Sequence, residues 1–537
     1  MDSSRVKRLT LIASILGSSV VFLDGSVVNV ALPAIRDDLH VSQSTQQWVV
    51  EGYLLTLSSL ILIGGSLGDL LGRRKVFLWG LIGFGITSLL CAVAPSGAAL
   101  VGARALQGVA GALLVPASLA LITATYPEHE RGGAIGTWTA WTGVAFVIGP
   151  LAGGVLIDAI SWRLVFAINI PLVIATVMVV RAGVQESAVA TRVPIDYTGA
   201  LLCMLGLAGP TFGLTEQSTY GWSDPRVWAP IVVGLLILGA FVVYESRASH
   251  PMLQLDLFKR RNFSVANLTT LTLYAGLGAL TFFLVLFLQQ VAGYSAIQGG
   301  LALLPITIVM FALSRRFGLL ASKVGPRWLM GGGPLIGAAG LLMLLMIDES
   351  VNYWTDVLPG VLVFSLGLSM TVAPLTTTVL QAVEPEHAGV ASGVNNAIAR
   401  LAGLLGIALI GAVIAAQFGS SLDSRLSGER LNTPERRTVQ SAKQTPLAGD
   451  QVVPAAQRPR LGPEVEGATV TAFHVGIGAS ALLVALGGVV SLVGLRPHVR
   501  RRREREAAPV HAPGQCIDCG FEREPEAPRV AAPATQA

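Results

Sequence analysis

Gly65-Ser66-Leu67-Gly68-Asp69-Leu70-Leu71-Gly72-Arg73-Arg74-Lys75 returns, thinned, as Gly318-x3-Ser322-x2-Gly325-x-Arg327, at an offset of 253 residues. A second pair lies almost as far apart. Pro116-x10-Pro127-Glu128-His129, followed by Ala134-Ile135-Gly136, matches Pro374-x10-Pro385-Glu386-His387, followed by Ala391-Ser392-Gly393, at an offset of 258. Two motifs at nearly one offset describe a chain built of two related halves.

Around these motifs the sequence is apolar. Only 13% of the 537 residues are charged and 52% are hydrophobic, against about 25% charged residues in a soluble domain. Such a chain cannot cover itself with polar surface in water. Runs long enough for a bilayer core, about 20 residues each, fall near 9–31, 46–67, 76–94, 98–122, 134–157, 164–181, 197–216, 227–245, 264–290, 299–320, 328–347, 356–380, 390–416 and 473–495. The expected class is an all-α polytopic membrane protein with fourteen spans. The repeat maps spans 2–5 onto spans 10–13, which leaves two six-helix bundles with spans 7 and 8 inserted between them. The expected divisions are residues 1–181, an insertion 182–261, residues 262–495 with a polar outer loop 417–472, and a tail 496–537. Parallel halves of this kind belong to transporters that bind substrate between them.

The net charge of +5 does not indicate a nucleic-acid partner. The basic residues sit in short clusters between spans, as in Arg5/Lys7/Arg8, Arg73–Lys75, Lys259–Arg261 and Arg500–Arg503, which is the charge pattern of cytoplasmic loops. An even span count then puts both termini in the cytoplasm, with the chain in the inner (cytoplasmic) membrane. Cys91 and Cys203 read as small core residues, and Cys516-x2-Cys519 is half of a zinc site at most. No nucleophile–base pair, phosphate loop or metal-ligand set is visible. Neither an enzyme, a cofactor nor a metal site is expected, and transport without an ATP-hydrolysing motif is secondary.

Three ionisable residues fall well inside the spans. From the outer ends of their helices Asp24 lies about 10 Å, Glu51 about 8 Å and Arg104 about 9 Å inward, at 1.5 Å per residue. A charge at such depth is costly and either pairs or faces water. One reading is a proton relay, in which moving a carboxylate toward or away from an arginine switches its protonation. The plainer alternative is a structural ion pair. His129 and His387 are read as marking helix starts.

At these residues the chain resembles the fourteen-helix drug:proton antiporters of the major facilitator superfamily. The opening run Leu23-Asp24-Gly25-Ser26-Val27-Val28-Asn29-Val30-Ala31-Leu32-Pro33, the 65–75 loop, Arg104-Ala105-Leu106-Gln107-Gly108, Gly149-Pro150-Leu151-Ala152-Gly153-Gly154, and Trp162-Arg163 with Phe166, Asn169 and Pro171 carry the resemblance in order. It implies proton coupling at Asp24 and Arg104, with Glu51 as an added proton site or a sign of a cationic substrate. It implies a conformational latch at Gly65, Asp69, Gly72, Arg73 and Arg74, and an antiporter motif at Gly149, Pro150, Gly153 and Gly154. Asn29, Gln107, Glu216, Gln289 and Gln290 are candidates for the substrate cavity. Leu70 departs from the pattern, which often has a basic residue there, and Arg315 and Arg316 stand where smaller residues are usual.

The expected function is export of amphipathic drugs, dyes or antibiotics against protons by alternating access. The expected partners are the substrate, protons and the lipid bilayer, with an accessory envelope protein as an option and a monomer otherwise. The rivals are export of one specific metabolite or lipid and, from another class, a transport-inactive sensor or scaffold.

Overall fold

The computed structural model describes residues 3–187, 195–348, 350–383, 388–429 and 431–496, without the side chains of Asp69, Glu128, His129, Ser322 and a few others within helices. His387, the Arg500–Arg503 cluster, the Cys516/Cys519 pair and the tail beyond 496 lie outside the described residues.

Among the described residues, fourteen helices are long and apolar enough to cross a membrane. They are α1 (Ser3–Leu39), α2 (Gln43–Leu71), α3 (Arg73–Ala92), α4 (Gly97–Thr125), α5 (Glu128–Ala159), α6 (Leu164–Gly183), α7 (Tyr197–Tyr220), α8 (Pro225–Glu245), α9 (Arg261–Gln290), α10 (Ala296–Ala321), α11 (Pro326–Met346), α12 (Tyr353–Gln381), α13 (Ala388–Arg425) and α14 (Arg458–Gly494). Helices are forced here because hydrocarbon offers the backbone no partner but itself. Their starts are written locally. Ser42, Ser96, Asp196 and Asp224 accept from the first-turn amides of α2, α4, α7 and α8, and Ser295 with Gln298 forms a reciprocal capping box on α10.

Alternation of fourteen spans brings both described ends of the chain to one face, called here the terminal face; the opposite one is the far face. In the first half, α1 packs on α4, α5 and α6, and α2 and α3 pack on α4. In the second, α9 packs on α13 and α14, and α11 on α12 and α14. The hairpin α7–α8 is added at the side: α7 rests on α2 and α13, while α8 rests on α7 and turns Leu235 and Leu236 outward. The halves meet along α2 and α13, where Gln47 lies against Gly411, Leu54 against Gly403 and Leu62 against Gly393.

The repeat has a backbone counterpart. Gly72 ends α2 with φ of +105°, and Gly325 ends α10 with φ of +88°, a region costly to residues bearing a Cβ. Pro116 and Pro374 each lie inside a helix, α4 and α12.

Two boundaries differ from the sequence expectation. The first helix continues through Pro33 to Leu39 and stops where His40 takes φ of +51°. The polar 417–472 stretch is largely helical: α13 runs on to Arg425, α14 begins at Arg458, and a short helix, Thr433–Lys443, lies between them. Both differences have one cause. Apolarity marks membrane depth, whereas a helix ends only where its backbone is capped or broken.

Candidate functional site

Asp24 and Arg104 meet. Arg104 Nη1 donates to Asp24 Oδ2 at 2.5 Å, and the two side chains are 1% and 0% exposed. The other carboxylate oxygen, Oδ1, accepts from Gln107 Nε2 (3.0 Å) and Asn169 Nδ2 (2.9 Å). Both amides also donate to Ser88 Oγ, at 2.9 and 3.3 Å. Arg104 Nη1 reaches Gln107 Oε1 at 2.6 Å, and Nε donates to the Val49 carbonyl at 2.9 Å. Its guanidinium carbon stands 4.3 Å from the centre of the Tyr53 ring. The network thus draws on α1, α2, α3, α4 and α6.

Small residues make this possible. A Cβ at Gly108 would strike the Tyr53 carbonyl and the Thr56 hydroxyl, and one at Gly64 would overlap the Ala112 carbonyl. The α2 and α4 backbones are therefore close enough for Arg104 to reach Val49, and Thr56 Oγ1 donates to the Ala105 carbonyl at 2.8 Å. Arg104 and Gln107 are three residues apart and share a helix face.

Glu51 is elsewhere. Its Oε2 accepts from Thr215 Oγ1 of α7 at 2.7 Å, and its buried Oε1 has no partner among the described residues. Glu216 accepts from Trp48 Nε1 at 3.0 Å on the same interface. The three charges share a depth, but α2 turns Glu51 toward the inserted hairpin. Of the cavity candidates, Gln107 is consumed by the buried network and Asn29 Oδ1 is buried without a partner. Gln289 Nε2 donates to the Val30 carbonyl (3.2 Å), and Gln290 Oε1 accepts from Arg36 Nη1 (2.8 Å). These two tie the halves together at the far face.

Further bonds join that seal. Gln43 N donates to the Gln444 carbonyl, and Gln451 bonds both Arg36 and the Gln290 carbonyl. Asp158 accepts from the amides of Ala296 and Ile297, each at 3.1 Å. The 149–154 motif lies in the same seam. Gly149 and Gly153 press on Ser26 and Val27 of α1, while Gly154 and Pro150 press on Ile297 and Gly300 of α10.

At the terminal face, the 65–75 loop is bound by a residue that sequence reasoning missed. Glu186 accepts from the Arg74 and Lys75 amides at 3.0 and 3.2 Å, capping the start of α3, and lies where a Cβ on Gly72 would point. A Cβ on Gly65 would lie 3.6 Å from Pro116, and Arg73 Nη1 contacts the Ala120 carbonyl at 3.4 Å. The Asp69 side chain is outside the described set. Trp162 and Arg163 both bond Asp38 at the end of α1, at 3.0 and 2.5 Å. Sequence reading also missed Ser88, Tyr53 and Thr215; their only signal was polarity within an apolar run. No group of three metal-ligating side chains occurs among the described residues.

Two related helical halves packed about an intramembrane charge network define a membrane transporter. The chain belongs to the major facilitator superfamily, whose family model matches residues 14–407. It is 31% identical over 510 residues to the tetracenomycin C resistance and export protein of Streptomyces glaucescens, covering 94% of each chain. It is 33% identical over 424 residues to the multidrug resistance protein Stp of Mycobacterium tuberculosis, covering 79% of each. It is 37% identical over 399 residues to the cephamycin export protein CmcT of Amycolatopsis lactamdurans, covering 73% of this chain and 82% of that one. A bacterial homologue of the human lysosomal transporter Spinster, solved inward-facing and unoccupied, has the same fold. Its TM-score is 0.60 at 18% identity, over 91% of this chain and 97% of that one.

Proposed function

We propose that this transporter exports small amphipathic organic molecules, such as drugs, dyes or antibiotics, in exchange for protons across the cytoplasmic membrane. The observation that carries the reading is the fully buried Asp24–Arg104 pair, clamped by Gln107, Asn169 and Ser88. A proton on Asp24 removes the charge that holds Arg104. The guanidinium then keeps only its neutral acceptors, Val49 and Gln107, and its face on Tyr53. Because the network ties α1 to α2, α3, α4 and α6, loosening it alters the packing of the whole first half. Export of the relatives' kind, named for resistance to tetracenomycin C and for multidrug resistance, supports the substrate class.

In this reading the terminal face is cytoplasmic and the far face is sealed, an inward-facing state in which substrate enters from the cytoplasm. Opening the far face requires release of Gln289, Gln290 and Asp158 and sliding at Gly149, Pro150, Gly153 and Gly154. The latch at Gly65, Asp69, Gly72, Arg73 and Arg74 governs the terminal face. Glu51 is a second proton site, since a proton is the partner its buried carboxylate lacks. The transporter works as a monomer in units 1–181, 182–261 and 262–495. One proton crossing 100 mV gains about 2.3 kcal/mol, and one pH unit adds about 1.36.

The test is uptake of a panel of anionic, neutral and cationic aromatic dyes into inverted vesicles with an acidic lumen. Gradient-driven uptake by the wild type and its loss in Asp24→Asn are expected. Uptake that survives collapse of the gradient would end the proton-coupled reading. A wild type that moves no dye shifts the assignment to one specific metabolite or lipid.

A further inference from the structure

The network above accounts for Asp24 and Arg104, but not for Arg315 and Arg316, exposed on α10, nor for a deeper cation on α13. Arg400 lies on α13, twelve residues past its start at Ala388, or about 18 Å along the helix at 1.5 Å per residue. That is mid-bilayer. It is half-buried, and its guanidinium carbon stands 5.0 Å from the centre of the Phe22 ring on α1. Phe22 is half-exposed as well. These residues come from both halves, so the exposure opens onto the space between them.

No carboxylate pairs with Arg400, and no acceptor is hydrogen-bonded to it, among the described residues. The acidic side chains at comparable depth are committed elsewhere. Asp24 is fully buried against Arg104, and Glu51 is fully buried against Thr215 on the far side of α2. The accessible charge between the halves is therefore positive. A planar five-donor fork at bilayer depth is expensive to leave unmatched. A guanidinium beside an accessible aromatic ring suits a carboxylate or sulfonate attached to an aromatic body, with the acid on the fork and the ring against Phe22.

The geometry points to Arg400 as the specificity-determining residue of an inter-half site that binds aromatic organic anions. This rests on, and narrows, the export reading above, and it runs against the cationic-substrate expectation drawn from Glu51. The test is binding to purified protein, which needs no transport. Fluorescence anisotropy of carboxyfluorescein and of ethidium is followed for the wild type, Arg400→Lys and Arg400→Gln in detergent. Wild type is expected to prefer the anion. Arg400→Gln should weaken it about tenfold or more, the scale of one charge-assisted contact, and leave ethidium unchanged; Arg400→Lys should keep most of the affinity. On the wild type alone, 2-naphthoate should displace the dye and 2-naphthamide should not, which tests the site even where a variant does not fold. Preference for ethidium, equal binding by Arg400→Gln, equal displacement by acid and amide, or no binding of either dye by the wild type would overturn the inference. Failure of vesicle uptake with anion binding intact would instead sink the export reading and leave the site standing.

Discussion

Asp24 and Arg104 are worth little as a pair and much as partners. A buried ion pair roughly offsets its own desolvation, yet removing one member strands the other at a cost of about 3–5 kcal/mol. Arg104→Ala should therefore lower the thermal unfolding midpoint in detergent sharply. Pairing it with Asp24→Asn should restore part of the loss, and a double variant no better than the single would refute the coupling. Glu51→Gln should behave oppositely. Its carboxylate has one acceptor bond and no cation, so the isosteric amide should leave the midpoint unchanged or raise it while altering the pH dependence of transport. The sequence revealed that Asp24, Glu51 and Arg104 share a depth, because depth follows from counting along a helix. It did not reveal that Glu51 looks away from the other two, because that depends on how α2 is rotated against α4 and α7. Ser88 was hidden for a related reason, since a single hydroxyl in an apolar run has no spacing rule of its own, and Asn169, noted as part of the resemblance, carried no sign that it bonds Asp24.

At the scale of the helices, fourteen spans were legible because bilayer thickness sets a minimum apolar length. The ends were not, since Arg36-Asp37-Asp38 and the residues up to Arg425 stay helical after the apolar run stops. The two turn glycines offer a matched experiment. Gly72→Ala meets both a positive φ and the Glu186 carboxylate, whereas Gly325→Ala meets the positive φ with nothing within 4 Å. Gly325→Ala should cost about 1–2 kcal/mol, read as a shift in the unfolding midpoint, and Gly72→Ala should cost more. Glu186→Ala, which removes the clashing side chain, should relieve part of that excess; equal costs at the two glycines would deny Glu186 its place in the turn.

For the whole molecule, the repeat predicted two halves, and their contact follows the small residues. Gly154 lies against the backbone of Ile297, and Gly300 against Pro150. A valine at 154 should wedge the far face apart. Spin labels at the far ends of α5 and α10 should then report a longer distance in Gly154→Val than in the wild type. An unchanged distance would mean that the seam does not hold the halves closed.

The far-face seal has a further consequence through the chemistry of its bonds. Where it crosses between the halves it relies on amides, backbone carbonyls and a carboxylate seated on backbone amides. Arg36 reaches Gln290 and Gln451 across the seam, and its one acidic partner, Asp37, is its own neighbour. These bonds set a charge against a dipole rather than against an opposite charge, so ionic screening weakens them less than it weakens exposed charge pairs. A gate of paired surface charges would weaken as the ionic strength rises. A seam held through Gln290 and Gln451 should stay closed nearly as well in concentrated salt as in dilute.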